Sequence, residues 1–159
     1  MMKRKHIFAH LKAAWSYAEV SYCTRLKVGA MIVKDNTPIA IGYNGTPKGE
    51  ENVCETDEGL TKSTVIHAED NALRKLIRSH ESSINSSVFI THSPCMGCAE
   101  KLKDAQVESV FFNIPYRDNK GVELLAKCGI SVYHVDLELG TIKQYLSKSG
   151  QYITSTIYK

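Results

Sequence analysis

The sequence has no long apolar run, no internal repeat and no low-complexity segment. No stretch approaches the ~18–20 apolar residues of a membrane-spanning helix, so we expect no membrane association. A strong excess of one charge is also missing, because 20 basic and 17 acidic residues leave a formal net charge of +3 at pH 7. Nucleic-acid binding favours a dense basic face, and this mild charge is weak support for it.

The composition is that of a soluble globular protein, with 43% hydrophobic and 23% charged residues among 159. This length predicts one domain over residues 1–159 with a sizeable core. The basic start Met1–Lys5 suggests a signal peptide, but His10, Lys12 and Glu19 interrupt any apolar core behind it. We therefore expect an amphipathic first helix in place of a signal peptide.

Cysteine is sparse, odd in number and irregularly spaced. The five residues are Cys23, Cys54, Cys95, Cys98 and Cys128. This usage fits a reducing cytoplasm better than a disulfide framework, so we expect a cytoplasmic protein. Cys128 is expected to be buried in the last helix, because free cysteine packs as a small apolar group.

Two short strings carry most of the chemistry, His67-Ala68-Glu69 and Pro94-Cys95-Met96-Gly97-Cys98. Zn²⁺ prefers thiolate and imidazole ligands, and a catalytic zinc keeps three protein ligands so that water can take the fourth position. His67, Cys95 and Cys98 match that count. The two cysteines are spaced so that both sulfurs can reach one ion from the first turn of a helix. The strings together predict one catalytic zinc ion.

Glu69 is the predicted general acid and base. It follows His67 by two positions, points elsewhere on the helical turn and need not bind the metal. Zinc lowers the pKa of a bound water from about 15.7 to roughly 7. Glu69 can take that proton, pass it to a ring nitrogen and later help an amine leave. The expected reaction is hydrolysis at a carbon that bears an exocyclic amine, with release of ammonia.

Each string has a plainer interpretation when it is taken alone. A histidine at a helix start usually caps the helix or lies at the surface. A lone Cys-x-x-Cys can be a redox pair or half of a structural zinc clip. The combination favours a catalytic zinc, because a structural site would need a fourth protein ligand and has no use for Glu69.

Hydrophobic periodicity and turn residues predict alternating strands and helices in the second half of the chain. Helices are predicted up to about Val20, from His67 to about Arg78, directly after Cys98, at Asn119–Lys127 and at Glu138–Leu146. Strands are predicted at Val28–Val33, Pro38–Gly42, Val88–Thr91, Ser109–Asn113 and Ile130–His134, with a hairpin turn at Asp35-Asn36. Tyr43–Thr64 is predicted to be a long loop, and Tyr152–Lys159 is either β-prone or disordered.

From about Phe8 to Val135 the chain resembles the deoxycytidylate (dCMP) deaminases of the cytidine-deaminase-like superfamily. Beyond the two zinc strings, the resemblance rests on Cys23–Ala30 (CTRLKVGA), Gly42–Pro47 (GYNGTP) and Thr91–Cys95 (THSPC). It implies an α/β fold with three layers, α/β/α, around a five-stranded mixed sheet. It also implies zinc-dependent hydrolysis of dCMP to dUMP and ammonia, which supplies dUMP for thymidylate synthesis.

The resemblance implies substrate contacts as well. Asn44 matches an asparagine near the sugar hydroxyl and base, and Arg25 matches a basic residue near the 5′-phosphate. Tyr116 and Arg117 match a pair that binds phosphate from the same or a neighbouring subunit. Arginine offers a permanently charged, forked grip on phosphate, and a tyrosine hydroxyl adds a neutral donor. The plainer interpretation is that Asn44 serves a turn and the other three are ordinary surface residues.

The resemblance further implies a homo-oligomer, with a hexamer favoured. Some relatives are regulated by the effectors dCTP and dTTP, and Gly42–Gly49 resembles their effector-binding stretch, but whether this protein is regulated stays open. The sequence also departs from the family pattern. Cys23 and Thr24 stand where many relatives carry Asp-Pro, and Asp70 stands where an apolar residue is common. Whether Cys23 and Cys54 form a second metal site stays open.

Three alternatives remain beside dCMP itself. One is deamination of nucleic acid, either of a tRNA adenosine or of a single-stranded cytosine, which the mild charge disfavours. Another is a 5-substituted dCMP as the preferred substrate. The third is a zinc-stabilised binding protein without catalysis, in which Glu69 would have no purpose.

Overall fold

Seven strands form one mixed sheet in the computed structural model, which describes residues 1–158. The strands are β1 (Gly29–Lys34), β2 (Thr37–Tyr43), β3 (Ser87–His92), β4 (Ser109–Ile114), β5 (Ser131–Asp136), β6 (Thr141–Leu146) and β7 (Gln151–Thr154). The helices are α1 (Arg4–Ala18), α2 (Ala68–Leu76), α3 (Met96–Asp104) and α4 (Lys120–Lys127). The strand order across the sheet is β2-β1-β3-β4-β5-β6-β7.

The centre of the sheet is parallel and both flanks are antiparallel. β3, β4 and β5 run parallel, whereas β1 is antiparallel to β2 and β3, and β6 is antiparallel to β5 and β7. The predicted α/β fold with a mixed sheet is confirmed. The predicted number of five strands is wrong, because β6 and β7 extend the sheet beyond β5.

Helices cover both faces of the sheet because alternate strand residues point to opposite sides. On β1, Ala30 and Ile32 pack in the apolar cluster that α2, α3 and α4 cover. Met31 and Val33 pack on the other face, against α1. The buried side of α1 consists of Ile7, Leu11, Ala14 and Ala18, spaced as one helical face. The predicted amphipathic first helix is confirmed.

The segment predicted as a helix at Glu138–Leu146 is a turn followed by β6. The carboxylate of Asp136 accepts hydrogen bonds from the backbone N–H groups of Glu138 and Leu139, each at 2.9 Å. Gly140 then adopts a left-handed backbone with φ of 64°, which a helix cannot continue. Pairing with β5 decides the conformation of the residues that follow.

Other local predictions are confirmed. Asp35 and Asn36 have φ of 48° and 61° and form the tight turn between β1 and β2. Residues 44–64 form no helix and, apart from isolated bridges, no strand. Of the terminal segment left undecided, Gln151–Thr154 is a strand, and Lys159 lies outside the described residues. Within residues 1–158, every helix is too short or too polar to cross a bilayer.

Two glycines allow close packing around the zinc strings. A Cβ on Gly42 in β2 would overlap the carbonyl oxygen of Ala68, at the start of α2. A Cβ on Gly121 in α4 would overlap the carbonyl oxygen of Pro94. The backbones that carry the two strings are therefore held directly against neighbouring elements.

Candidate functional site

The two zinc strings meet where α2 and α3 begin. His67 is the N-cap residue of α2, and Cys95 is the N-cap residue of α3. The Cys95 sulfur accepts a hydrogen bond from the backbone N–H of Cys98 at 3.5 Å. Cys95 follows β3 closely, beyond the carboxyl end of a parallel strand, where sites on such sheets are expected. The predicted helix starts are confirmed.

Three donor atoms converge at this junction. Nδ1 of His67 lies 3.6 Å from the sulfur of Cys95 and 3.4 Å from the sulfur of Cys98. All three donor atoms lie within 4.8 Å of one another. The tertiary structure therefore brings together, across 28 and 31 positions of sequence, the ligand set that the sequence predicts.

The donor set fits a zinc ion. Zn–N bonds of about 2.0–2.1 Å and Zn–S bonds of about 2.3 Å in a tetrahedral shell place nitrogen and sulfur about 3.6 Å apart, which the two observed separations approach. Among residues 1–158, the one cluster of three or more such donors is this trio. Three protein ligands leave the fourth position for water or substrate, which is typical of a catalytic site.

The charges of the site favour a thiolate at Cys95. Hydrogen bonds from the Cys98 thiol and from the His67 ring lower the pKa of Cys95. The hydrogen bond between His67 and Cys95 raises the pKa of the His67 ring. The hydrogen bond between Cys98 and Cys95, together with burial, raises the pKa of Cys98. The N-terminus of α3 adds its positive dipole end beside both sulfurs. A divalent cation would complete this arrangement by neutralising the second thiolate.

Glu69 lies in the first turn of α2 with 5% of its surface exposed. Burial raises the pKa of its carboxyl to about 6, although its own backbone N–H and the His67 ring favour the charged form. A carboxyl with a pKa near neutrality can both take up and release a proton under ordinary conditions. Glu69 is placed beside the donor trio without belonging to it.

A cavity of about 200 Å³ is lined by two members of the donor trio, His67 and Cys95. Its lining includes His67, Glu69 and Cys95 at one side, together with Arg25, Asn44 and Tyr116. One concave space therefore joins residues that the sequence predicts for metal binding, proton transfer and substrate binding. Such a combination of an apolar wall with a few polar groups is typical of small-molecule sites.

Asn44 is tied to the wall of this cavity through its side-chain amide. Its Oδ1 accepts from the backbone N–H of Val28 at 2.8 Å, and its Nδ2 donates to the carbonyl of Leu26 at 2.7 Å. The side chain thus holds the segment before β1 in place. One amide hydrogen and one oxygen lone pair are left for a ligand, so the predicted sugar contact stays a prediction.

The predicted phosphate residues divide into two groups. Arg25 and Tyr116 are exposed side chains that line the cavity, and the backbone N–H of Tyr116 donates to the hydroxyl of Ser93 at 2.6 Å. Arg117 is exposed but lies outside the cavity lining of the described chain. The structure therefore brings together every predicted site residue except Arg117.

The cysteine usage argues against a disulfide framework, but one pair of cysteines forms a disulfide bond. Cys23 and Cys54 are bonded to each other and are 2% and 0% exposed. Their positions gave no signal, because no repeated spacing marks the pair. The bond joins the long loop to the segment before β1, and a second metal site at these residues is thereby excluded in this structure. Cys128 is exposed at the C-cap of α4, so its predicted burial is also wrong.

Two further residues of the cavity were missed in the sequence. A carboxylate oxygen of Glu55 accepts the backbone N–H groups of Thr24 and Arg25 at 2.8 and 2.9 Å. The Arg25 bond chiefly lowers the pKa of Glu55. His92 at the end of β3 also lines the cavity. Its place in Thr91–Cys95, a string already singled out, is the signal that could have revealed it.

Comparison with known proteins agrees with this geometry. The family described as "Cytidine and deoxycytidylate deaminase zinc-binding region" matches residues 2–114. The deoxycytidylate deaminase of Mycobacterium phage D29 is 32% identical over 116 residues, which are 64% of this chain and 89% of the phage protein. ComE operon protein 2 of Bacillus subtilis is 33% identical over 124 residues, and the match spans 74% of this chain and 65% of that protein.

A solved structure matches the fold over most of both chains. It is the crystal structure of dCMP deaminase from the cyanophage S-TIM5 in complex with dCMP and dUMP. The match has a TM-score of 0.81 and 41% sequence identity, and it covers 83% of this chain and 98% of the phage chain.

Proposed function

From the premise that this chain belongs to the cytidine and deoxycytidylate deaminase family, whose matching region binds zinc, we propose that it hydrolyses dCMP to dUMP and ammonia. The observation that carries this proposal is the buried carboxylate of Glu69 in one cavity with His67 and Cys95, two members of the donor trio that Cys98 completes. The substrate is argued from the S-TIM5 enzyme, which binds dCMP and dUMP and shares 41% identity.

The proposed chemistry begins with proton transfer by Glu69. Bound zinc supplies the Lewis acid that lowers the pKa of a water from about 15.7 to roughly 7. The Glu69 carboxylate takes a proton from the attacking water and delivers it to N3 of the cytosine ring. The water oxygen bonds to C4 and becomes a hydroxyl on that carbon. Glu69 takes the remaining proton from this hydroxyl and gives it to the exocyclic amine, so that the carbonyl forms at C4 as the bond from C4 to nitrogen breaks and ammonia leaves.

The rest of the chain holds the nucleotide in this proposal. Asn44 faces the sugar with its free amide hydrogen, while Arg25 and Tyr116 grip the 5′-phosphate at the cavity wall. Glu55 supports this grip because it holds the backbone of Arg25. Glu69 and Ala68 are buried, so little bulk water reaches the reacting end of the cavity, and the electrostatic contacts there are strengthened.

A substrate panel tests the function. The zinc-loaded protein is incubated separately with cytosine, deoxycytidine, dCMP, dCTP, 5-methyl-dCMP, 5-hydroxymethyl-dCMP and a single-stranded oligonucleotide, and ammonia release is followed. Turnover centred on dCMP is expected. Preference for a 5-substituted nucleotide would identify that nucleotide, in place of dCMP, as the substrate. Turnover of the oligonucleotide alone would identify the protein as a nucleic-acid deaminase. Zinc binding with no turnover at all would leave a binding protein.

Loss of the phosphate grip is expected to act on KM. Arg25→Ala should raise KM for dCMP about tenfold or more, the scale of a hydrogen bond to a charged group, with little change in kcat. Arg117→Ala should do the same if a neighbouring copy supplies this residue. Steady-state kinetics on dCMP measure both. Lys27→Ala, which removes an exposed charge from the segment of Arg25 without touching the cavity lining, serves as the matched control. An unchanged KM would remove the corresponding arginine from the phosphate site.

Further properties of the family complete the proposal. We propose that residues 1–159 form a single deaminase domain that works as a homo-oligomer, with a hexamer favoured, and that dCTP and dTTP regulate it at Gly42–Gly49. The position of Arg117 outside its own cavity supports a contribution between subunits. We also propose that the enzyme supplies dUMP and that it does not act on nucleic acid. A cytoplasmic location stays a prediction, and the Cys23–Cys54 bond removes part of its basis.

A further inference from the structure

His92 is a polar residue of the cavity that has no part in the chemistry described so far. It ends β3, and its partly buried imidazole lines the cavity together with Glu69 and Cys95. It stands apart from the donor trio, so metal binding does not account for it. The hydrogen bonds around its ring determine what this side chain can offer to a ligand.

Thr91 determines which ring nitrogen of His92 carries the proton. Its fully buried hydroxyl accepts the backbone N–H of Gly29 at 3.1 Å and lies 2.9 Å from Nδ1 of His92. These are its two hydrogen-bond partners among residues 1–158. Because the backbone N–H of Gly29 can only donate, Nδ1 of His92 is the one available acceptor for the hydroxyl hydrogen of Thr91. A proton on Nδ1 would leave a buried O–H without an acceptor, which is unfavourable. The neutral ring therefore carries its proton on Nε2.

Trp15 packs against the His92 ring. The two ring centroids are 5.5 Å apart with an interplanar angle of 57°. The indole N–H of Trp15 donates to Oδ1 of Asn113 at 3.0 Å, and Nδ2 of Asn113 donates to the carbonyl of Val135 at 2.8 Å. A chain of contacts from α1 through β4 to β5 thus supports His92. Polar groups supported in this way are suited to precise recognition.

Nε2 of His92 is left as an available donor. It makes no hydrogen bond to any of residues 1–158. The hydroxyl of Tyr152 is the one side-chain atom in that range that is both fully buried and without a partner, so Nε2 of His92 is not fully buried. Nε2 is therefore open to solvent or ligand. Burial lowers the pKa of His92, which keeps the ring neutral near pH 7 and leaves one N–H to donate.

The neighbours of His92 belong to the proposed phosphate side of the cavity. In the parallel pairing of β3 and β4, His92 is opposite Ile114, two residues before Tyr116. Ser93, the next residue, accepts the backbone N–H of Tyr116. His92 and Tyr116 therefore lie side by side at the carboxyl ends of adjacent strands, and both line the cavity.

We propose that His92 contacts the nucleotide directly and donates its Nε2–H to an oxygen of the 5′-phosphate, with Thr91 as the positioning residue that selects the tautomer. This inference rests on the proposed function and adds a substrate contact to it. His92 is a binding residue in this role, so its removal acts on KM and on the discrimination between nucleotide and nucleoside.

Kinetics of two His92 variants test the contact. His92→Phe keeps a planar ring but removes the donor, and it should raise KM for dCMP about 10- to 100-fold, the range for one hydrogen bond to a charged group. The activity on deoxycytidine, which has no phosphate, should change little. His92→Gln restores an N–H donor at a similar distance and should recover most of the lost affinity. An unchanged KM in His92→Phe, or an equal loss on deoxycytidine, would overturn the proposal.

Nitrogen-15 NMR of the zinc-loaded wild-type protein gives a readout that does not depend on the folding of a variant. The His92 ring should show the Nε2–H tautomer, and its Nε2 signal should shift when dUMP is added but not when deoxyuridine is added. Thr91→Val should mix the tautomers, whereas the control Thr91→Ser keeps the hydroxyl and should not. An Nδ1–H tautomer, or equal responses to dUMP and deoxyuridine, would contradict the assignment. Wild-type turnover of dCMP tests the proposed function separately from this signal.

Discussion

Glu69→Gln is expected to lower kcat on dCMP by at least about 100-fold, the usual scale for a group that transfers a proton in the transition state. Glutamine has the shape of glutamate but cannot take a proton from water or return it to the leaving amine. Zinc content should stay complete, since Glu69 lies outside the donor trio. Steady-state kinetics and elemental analysis of the same preparation measure the two quantities together.

The fold should tolerate this substitution. Glu69 is 5% exposed, and burial disfavours its charged form, so a neutral amide removes no favourable buried charge. The melting temperature of the metal-loaded variant should therefore equal or exceed that of the wild type. Glu100→Gln, the same change at an exposed position of α3, is the matched control and should be fully active. Full activity in Glu69→Gln would end the assignment of Glu69, and loss of zinc together with activity would make it a part of the metal site.

Cys98→Ser is expected to abolish turnover through loss of the metal. The buried sulfur of Cys98 lies 3.4 Å from Nδ1 of His67 and completes the three-donor set. Zinc affinity should fall by more than about 100-fold, because partners outside the ligand shell are already worth 10- to 100-fold. Competition with a coloured chelator measures the affinity, and ammonia release from dCMP measures the activity.

The chain provides its own control for this experiment. Cys128 is an exposed cysteine at the C-cap of α4, outside the metal cluster. Cys128→Ser should bind zinc and turn over dCMP like the wild type. The metal-free wild type should be inactive and should recover on addition of zinc, which separates loss of metal from misfolding. Retention of tightly bound zinc and of activity in Cys98→Ser would refute the three-ligand site.

The metal site could be predicted from sequence because its chemistry depends on local spacing. Cys95 and Cys98 reach one ion because both belong to the first turn of α3, and Glu69 stands beside His67 because both belong to the first turn of α2. The residue types determine the preferred metal. Only the contact between the first turns of α2 and α3 joins residues far apart in the sequence, and the presence of both zinc strings in one chain already indicated that contact.

The failed predictions involve residues whose conformation depends on distant partners. Local pattern predicts a helix over residues 138–146, but pairing with β5 and the turn at Gly140 make these residues a turn and a strand. Cys23 and Cys54 are 31 positions apart, and no local pattern reveals that they are bonded. For Cys128 the failed prediction is its burial, because it is exposed at the C-cap of α4.

The sequence by itself determined the donor set and the alternation of strands and helices, because side-chain chemistry and hydrophobic periodicity act over a few residues, and the family resemblance implied the mixed sheet. The tertiary structure alone decided the two additional strands, the Cys23–Cys54 bond, the backbone contacts of Asn44 and the position of Arg117 outside the cavity. It also placed Thr91 against Gly29 and thereby oriented His92. These features depend on sheet register and on the packing of segments far apart in the chain, which residue spacing does not encode.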